Sequence, residues 1–476
     1  MADVHKLSSN PRQLVSSIFM LALLRHSTRH VVIALVTGLL LRLWFIHYYP
    51  VVDGDTLVYG AIAHNWFWRG IYGLPQAGVL QPTLIRLPGY PLFLGVCFLF
   101  FGVNHYSGIL FLQAAIDLCT CLLVAGFATR TVSQRAGVAT LYLAGLCPFT
   151  ANFVASPLTE TPTLFCIALG LYSLVRYLER PAFGGWFWTL IFSISYAALL
   201  RPDGALLGVV LVPAMFWYGR SRVSSERSTT LATACTLLAL LPFVAWTIRN
   251  QRTFHVFQPL APRYANNPGE YVPRGWIRWF QSWAVDYTST AEVYWNVNGS
   301  PLDIQLPSSR AFDSPAQKAE TAKLFARYNA TVFMTPALSQ DFGRLAQQRI
   351  DHSPFRFYVE LPLLRLADMW LRPRTAQLWI ELRWWQYEHH PAETIFSWCY
   401  AALDLSYILL AAWGLRRRVP FTAVMVGYVV LRCLLLLTIE APEARYTLEC
   451  FPMVFILAGV TLAGRNTAAQ HRGPEL

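Results

Sequence analysis

Residues 50–91 read PVVDGDTLVYGAIAHNWFWRGIYGLPQAGVLQPTLIRLPGYP and follow directly on a long apolar block. Asp53 and Asp55 therefore stand where a hydrophobic helix ends and water begins. A helical run follows with Tyr59, Ala63, Trp66, Phe67 and Gly70, then a Pro/Gly-rich loop that closes on Arg86-Leu-Pro-Gly-Tyr90-Pro91. Carboxylates held at a membrane face beside an amphipathic helix suit chemistry on a lipid headgroup.

Working outward, the 476-residue chain is 55% hydrophobic and 13% charged, and its apolar residues come in long blocks rather than in alternation. About ten blocks approach the ~20 residues that cross a bilayer as a helix. The fold class is an all-α polytopic membrane protein with juxtamembrane helices and an extracytoplasmic loop domain. The net charge of +12 is then explained by cationic loops on one side of the membrane and by groups facing an anionic substrate, and no nucleic-acid partner is expected. The nine cysteines (97, 119, 121, 147, 166, 235, 399, 433 and 450) fall in apolar stretches and none in 250–395. That segment is no disulfide framework, and the thiols read as small buried hydrophobes.

Charge bookkeeping orders the spans. Residues 1–30, with Lys6, Arg12, Arg25 and Arg29, read as a cytoplasmic arm without a processing site, so the first span stays as an anchor. Spans are placed at 31–48, 106–128, 136–150, 157–177, 184–200, 204–219, 229–248, 396–414, 420–438 and 447–463. This puts Arg130/Arg135, Arg176/Arg180, Arg220/Arg222/Arg227, Arg416-Arg417-Arg418 and Arg465 on the side of the N-terminal arm. A crossing at 88–101 would move every cluster but the arm outside, so that run is assigned as re-entrant or interfacial. The resulting organisation is a membrane module 1–248 with its first outer loop at 49–105, an extracytoplasmic domain 249–395, and C-terminal membrane helices 396–476. Within the outer domain, Trp276, Trp279, Phe280 and Trp283 recur at helical spacing beside arginines. They are expected to lie along the membrane interface, with a second contact around Leu378, Trp379, Leu382, Trp384, Trp385 and Tyr387.

With this topology the ionisable residues of the outer turns converge: Asp53, Asp55, Glu160, Arg201-Pro-Asp203, Arg249, Asn250, Glu440, Glu443, Arg445 and Tyr446. Charged groups at the mouth of a helical bundle are functional candidates by default. Cations can hold a phosphate while a carboxylate takes a proton from an attacking hydroxyl or amine. No P-loop or dinucleotide fingerprint is present.

The pattern resembles the GT-C superfamily of glycosyltransferases, in particular family 39-like enzymes related to protein O-mannosyltransferases and to the lipid A aminoarabinose transferase. It is carried by Asp55-Thr-Leu-Val-Tyr59 with Ala63, Arg86-Leu-Pro-Gly-Tyr-Pro-Leu-Phe93, Pro157-Leu-Thr-Glu160, Leu200-Arg-Pro-Asp203 and Arg445-Tyr446. The resemblance implies a polyprenyl-phosphate-linked sugar as donor and a lipid, glycan or protein as acceptor. It implies Asp55 as general base, with Asp53 and Glu160 as further catalytic candidates and inversion at the anomeric carbon. Tyr59, Arg86, Tyr90, Arg201, Arg249, Arg445 and Tyr446 are the candidate substrate-binding residues.

Asp53 and Asp55 can cap the helix that starts near Thr56, and Arg201 can snorkel from a helix end. Arg42, inside the first span, reads as an internally paired group. Two carboxylates in Asp53-x-Asp55 leave most of a divalent cation's coordination open, so no metal and no other cofactor is expected. His64 and the His389-His390 pair form no ligand set. A transporter or lipid flippase is the rival class; it calls for polar groups near the bilayer midplane on broken helices and an inverted repeat, whereas here the ionisable residues cluster at one mouth, a large outer domain is present and no repeat is visible. The length and the lack of a retention signal favour a bacterial inner membrane with the site facing the periplasm or exterior.

Overall fold

The computed structural model describes residues 21–417 and 419–464, with side chains from 27 onward. The basic arm expected over 1–30 falls largely outside these residues, as do Arg418 and Arg465. The helices used below are α1 (Leu21–Tyr48), α2 (Asp55–Arg69), α3 (Gly89–Phe101), α4 (Tyr106–Thr131), α5 (Gln134–Gly145), α6 (Glu160–Glu179), α7 (Gly185–Leu200), α8 (Leu206–Gly219) and α9 (Ser225–Phe254). They continue with α10 (Arg274–Gln281), α11 (Pro315–Asn329), α12 (Pro336–His352), α13 (Leu361–Leu371), α14 (Pro391–Gly414), α15 (Thr422–Leu436) and α16 (Phe451–Leu462). A two-stranded antiparallel hairpin, β1 (Gly73–Gln76) and β2 (Val79–Pro82), separates α2 from α3.

Seven helical stretches among the described residues are long and apolar enough to cross a bilayer, and an eighth if Gln134–Gly145 and Pro148–Ala155, bent by 48°, count as one span. The two remaining spans of the ten expected are the shorter apolar helices α7 and α15. At ~1.5 Å per residue, helices of this length fall short of a ~30 Å hydrocarbon core. α7 stops where Arg201-Pro202 interrupts it. Residues 88–101, assigned as re-entrant or interfacial, form α3, a third short apolar helix: its start packs on α7, where a Cβ on Gly89 would lie 2.5 Å from the Leu199 backbone. Its end folds back on the first turn of α4, with Phe101 against Gly108. Both ends of α3 thus sit at one end of the bundle.

The bundle closes around α4, α5, α6, α14 and α16, with Leu123, Phe127, Leu141, Phe149, Ile167, Phe451 and Phe455 in its core. Small residues let these helices approach. Gly459 of α16 faces Thr140 of α5 so closely that a Cβ would sit 2.0 Å from the threonine hydroxyl. The outward faces of α8, α9 and α14 expose Trp217, Leu237, Leu240, Trp398 and Leu409, the surface a lipid solvent requires.

A second apolar core overturns one expectation. Trp276, Trp279, Phe280 and Trp283 do not face the membrane interface; they are fully buried against Leu324, Phe325, Leu338, Phe342 and Leu345 of α11 and α12. A stripe at helical spacing reads the same whether lipid or protein covers it. What covers it here comes from helices forty to seventy positions later in the chain. The second interfacial segment keeps an exposed side: Trp379, Trp385 and Tyr387 are open, whereas Leu378 and Trp384 are buried.

Inside the bundle, Arg42 is internally paired, as expected. Its Nε donates to Asp117 Oδ2 at 2.8 Å and its Nη1 to the carbonyls of Gly38 and Gly145, and neither charged residue is accessible to solvent. The pair bolts α1, α4 and α5 together. Removing one partner leaves the other charge buried and uncompensated, so Asp117→Ala is expected to cost about 3–5 kcal/mol, read as a lowered unfolding midpoint in detergent. Exchanging both residues, Arg42→Met with Asp117→Leu, recovers most of that loss. An unchanged midpoint in Asp117→Ala alone would contradict this role.

Candidate active site

The helix that carries Asp55 begins on Gly54, whose φ of +47° is a turn conformation that L side chains rarely adopt. Asp55 is the first residue of α2, and no side-chain cap is made at this end; its carboxylate instead turns to arginines. Arg86, in the loop between the hairpin and α3, donates from Nη2 to Asp55 Oδ1 at 2.7 Å, and Arg445 Nη2 lies 3.7 Å from Asp55 Oδ2. The Arg86 guanidinium rests over the Tyr59 ring at 5.6 Å. Tyr59 meets Tyr90 edge to face, and the buried Tyr90 hydroxyl donates to Gln113 Oε1. Gln113 in turn donates to the carbonyls of Val154 and Ser156. A single polar line therefore fastens the Asp55 helix to α4 and to the turn before Glu160.

A lattice of alternating charge fills the mouth of the bundle. Glu160, buried at the start of α6, lies 3.1 Å from Arg201 Nη1 and 3.5 Å from Arg445 Nη1. Arg201 Nε sits 3.3 Å from Asp203 and 3.2 Å from Glu449. Arg432 pairs with Asp203 and Glu449 and donates to the Tyr446 carbonyl. Arg445 Nε is 2.7 Å from Glu443, which also accepts from the Tyr446 hydroxyl. With Asp55 and Arg86, five carboxyl groups face four guanidiniums in this cluster. Arg86 Nε is buried without a partner among the described residues.

Burial pushes the Asp55 carboxyl up, but Arg86, Arg445 and Arg201 together outweigh it and hold the group below its usual value. Asp55 is thus ionised at neutral pH. Burial also pushes the Tyr59 hydroxyl up to about 12 against the pull of Arg86, so this phenol stays protonated.

Two cavities open on the lattice, of about 760 Å³ and about 660 Å³. They share Asp55, Arg86, Leu158, Arg445 and Tyr446. The first is walled by Asp53, Tyr287, Trp295, Gln377 and Trp379. The second runs past Tyr59, Glu160 and Arg201 onto Leu206 and Val209 at the start of α8 and Leu435, Leu436 and Ile439 at the end of α15. Asp55 stands where the two meet.

The structure thus brings together Asp55, Tyr59, Arg86, Glu160, Arg201, Arg445 and Tyr446, with Tyr90 beneath them. Asp53 lines the first cavity and joins no ion pair among the described residues. Arg249 differs from the expectation. Its guanidinium donates to the carbonyls of Thr83 and Tyr72 and stacks on Trp246; it lines neither cavity. Its donors are spent on the hairpin, three residues before Arg86, so it shapes the site without facing it. Arg432 and Glu449 were not singled out from sequence, yet both are buried in the lattice. Their signal was legible as ionised residues inside apolar runs. Among the described residues no three His, Cys, Asp or Glu side chains converge as a metal-ligand set.

Asp55 gains stability from being ionised beside Arg86. A carboxylate whose folded pKa is depressed contributes stability above its unfolded value, near 4, and loses it as pH falls through the folded value. Arg86→Gln is therefore expected to lower the melting temperature at neutral pH and to make it fall less steeply than wild type in acid. Parallel pH profiles for the two proteins would contradict the pairing.

Residues 82–246 match the family model for dolichyl-phosphate-mannose-protein mannosyltransferases, a segment that holds Arg86, Tyr90, Glu160, Arg201 and Asp203. No curated protein matches the chain. Among solved structures, the chain is similar to the archaeal oligosaccharyltransferase AglB from Archaeoglobus fulgidus, in complex with an inhibitory peptide and a dolichol-phosphate. That match has 10% identity and a TM-score of 0.47 over 91% of this chain and 50% of AglB. The chain is also similar to ArnT from Cupriavidus metallidurans bound to undecaprenyl phosphate, at 14% identity and a TM-score of 0.39 over 92% of this chain and 77% of ArnT. The chain spans half the length of AglB. The resemblance to the GT-C glycosyltransferases read from residues 86–93, 157–160 and 200–203 is matched by that family model over residues 82–246.

Proposed function

We propose that the chain is a membrane glycosyltransferase that moves a sugar from a polyprenyl-phosphate-linked donor to an acceptor nucleophile. The observation that carries this reading is the position of Asp55 at the junction of two unlike cavities. One cavity joins arginines to an apolar wall, the chemistry of a lipid phosphate; the other offers aromatic and polar side chains, the chemistry of an acceptor.

In this reading the donor phosphate rests on Arg201, Arg445 and Arg86 and the lipid runs along Leu206, Val209, Leu435 and Leu436. The acceptor enters through the first cavity and gives its proton to Asp55 as its oxygen or nitrogen attacks the anomeric carbon. The bond from that carbon to the phosphate oxygen breaks on the opposite face, and its electron pair leaves with the lipid phosphate. Inversion follows from that geometry. The guanidiniums act where negative charge grows, which is where fixed donors lower a barrier most. Glu160 serves by holding Arg201 and Arg445, and Asp53 supplies a polar wall beside the acceptor. No nucleotide or metal is required by this chemistry, because the leaving group is already an anion.

The guanidiniums of the lattice are already paired with carboxylates, so an incoming phosphate must displace carboxylates from them. Arg445 holds Asp55 and Glu160 at 3.7 and 3.5 Å, looser than Arg201 holds Glu160 at 3.1 Å. Anchored by Glu443 at 2.7 Å, Arg445 exchanges these two looser contacts for phosphate, and that frees Asp55 to act as base. Arg130, Arg176, Arg220 and Arg416 lie at the far ends of α4, α6, α8 and α14 from this site. That asymmetry supports a site on the extracytoplasmic side, and we assign it to a bacterial inner membrane.

The donor half of the proposal is tested by titrating short-chain polyprenyl phosphate. Arg445→Gln removes a charge-assisted contact of about 1.5–3 kcal/mol, so binding is expected to weaken roughly 10- to 100-fold. Asp55→Asn removes a competitor and binds at least as tightly as wild type. Wild-type affinity in Arg445→Gln would overturn the phosphate site.

A further inference from the structure

The segment from 354 to 371, helical throughout with a π turn at Arg356–Glu360 leading into α13, carries two opposite faces. One is bolted to protein. The buried Arg365 donates from Nη1 to the carbonyls of Gln281 and Ala284, Asp368 accepts from the Tyr287 amide, and the Met369 carbonyl accepts from Thr447. Leu361, Arg365 and Met369 on this face are buried, one turn apart.

The other face is apolar and uncovered. Phe355 is 70% exposed, Tyr358 62%, Leu363 52% and Leu371 55%, with Val359 and Leu364 beside them. Glu360 is the one exposed charged residue of the segment. So many large apolar groups on one helical face do not belong in water. Their place in the fold says what covers them. Trp370 reaches the Cys433 thiol of α15, and α15 presents Val430 and Leu434, each about half exposed, on its free side. The uncovered stripe therefore sits beside the surface that the apolar bundle offers to lipid.

We infer that residues 354–371 form a monotopic helix that lies in the headgroup–acyl boundary of the bilayer and seats the domain between α9 and α14 on the membrane. Such helices immerse an apolar face by about 5–10 Å at the headgroup–acyl boundary. The role expected from sequence for Trp276–Trp283 thus belongs to a different segment. Seating has a consequence for the cavities. Asp368 holds Tyr287, and the chain beyond Leu371 runs directly into Arg374, Gln377 and Trp379, all walls of the first cavity. The depth of this helix in the bilayer sets where that cavity opens relative to the lipid surface.

The test is photocrosslinking of the full chain in proteoliposomes. A benzophenone amino acid replaces Phe355, Leu363 or Leu364 in turn, with Leu434 on α15 as the lipid-facing reference and Lys323, exposed on the polar helix α11, as the aqueous one. Irradiation is expected to add the mass of one phospholipid at the three test positions as it does at Leu434, and none at Lys323. Phospholipid adducts at Leu434 but at none of the three positions would overturn the inference. Adducts at the mass of two chains would overturn it in favour of a contact between copies. The readout needs no transfer activity, so it stands or falls separately from the glycosyltransferase reading.

Discussion

The contact on which the site depends is Arg445 held between Asp55 and Glu160. Those carboxylates start two helices more than a hundred residues apart, and Arg445 starts a third element just before α16. In a medium of low dielectric such a charge cannot stand alone, so the three helix starts are drawn to one point. Arg201 and Arg432 extend the same logic to α7, α8 and α15 through Asp203 and Glu449. The mouth of the bundle is thereby built as an alternating lattice rather than as a row of arginines. A preassembled cluster of cations would repel itself; interleaved with carboxylates it folds, and under the proposed function it would yield to a phosphate only by exchange.

That exchange links structure to chemistry. The two longest ion pairs in the lattice, to Asp55 and Glu160, both belong to Arg445, which Glu443 holds at 2.7 Å and which lines both cavities. Asp55 is kept ionised by its arginines, and a proton acceptor that is also a depressed carboxylate is a poor base until a cation is taken from it. In the proposed reaction the arriving donor phosphate would do this. The lattice would then make general-base strength conditional on a bound donor, which protects the sugar linkage from water before an acceptor is present.

Much of this was legible in the residue string, for identifiable reasons. Long apolar blocks declare a helical bundle because lipid leaves the backbone no alternative, and arginine clusters orient it. Asp55, Arg86, Glu160, Arg201 and Arg445 were found because charges beside apolar runs are costly and rarely idle. What failed did so through contacts distant in sequence. The Trp276–Trp283 stripe has the same period on lipid as on α11 and α12, and no local feature tells the two apart. Arg249 ends a helix as a phosphate ligand would, yet its donors go to the carbonyls of Tyr72 and Thr83, which flank the hairpin. Arg432 and Glu449 were readable singly as charges inside apolar runs, but that they meet each other depends on how α15 packs beside α16.

The most direct measurement is transfer itself. Wild type and Asp55→Asn, reconstituted with short-chain polyprenyl-phosphate sugars and candidate acceptors, would be compared by the release of lipid phosphate. Loss of a positioned general base lowers turnover about 10²- to 10⁴-fold; a fall of that size with donor binding retained is the predicted result. Equal turnover in the two proteins would contradict Asp55 as the base.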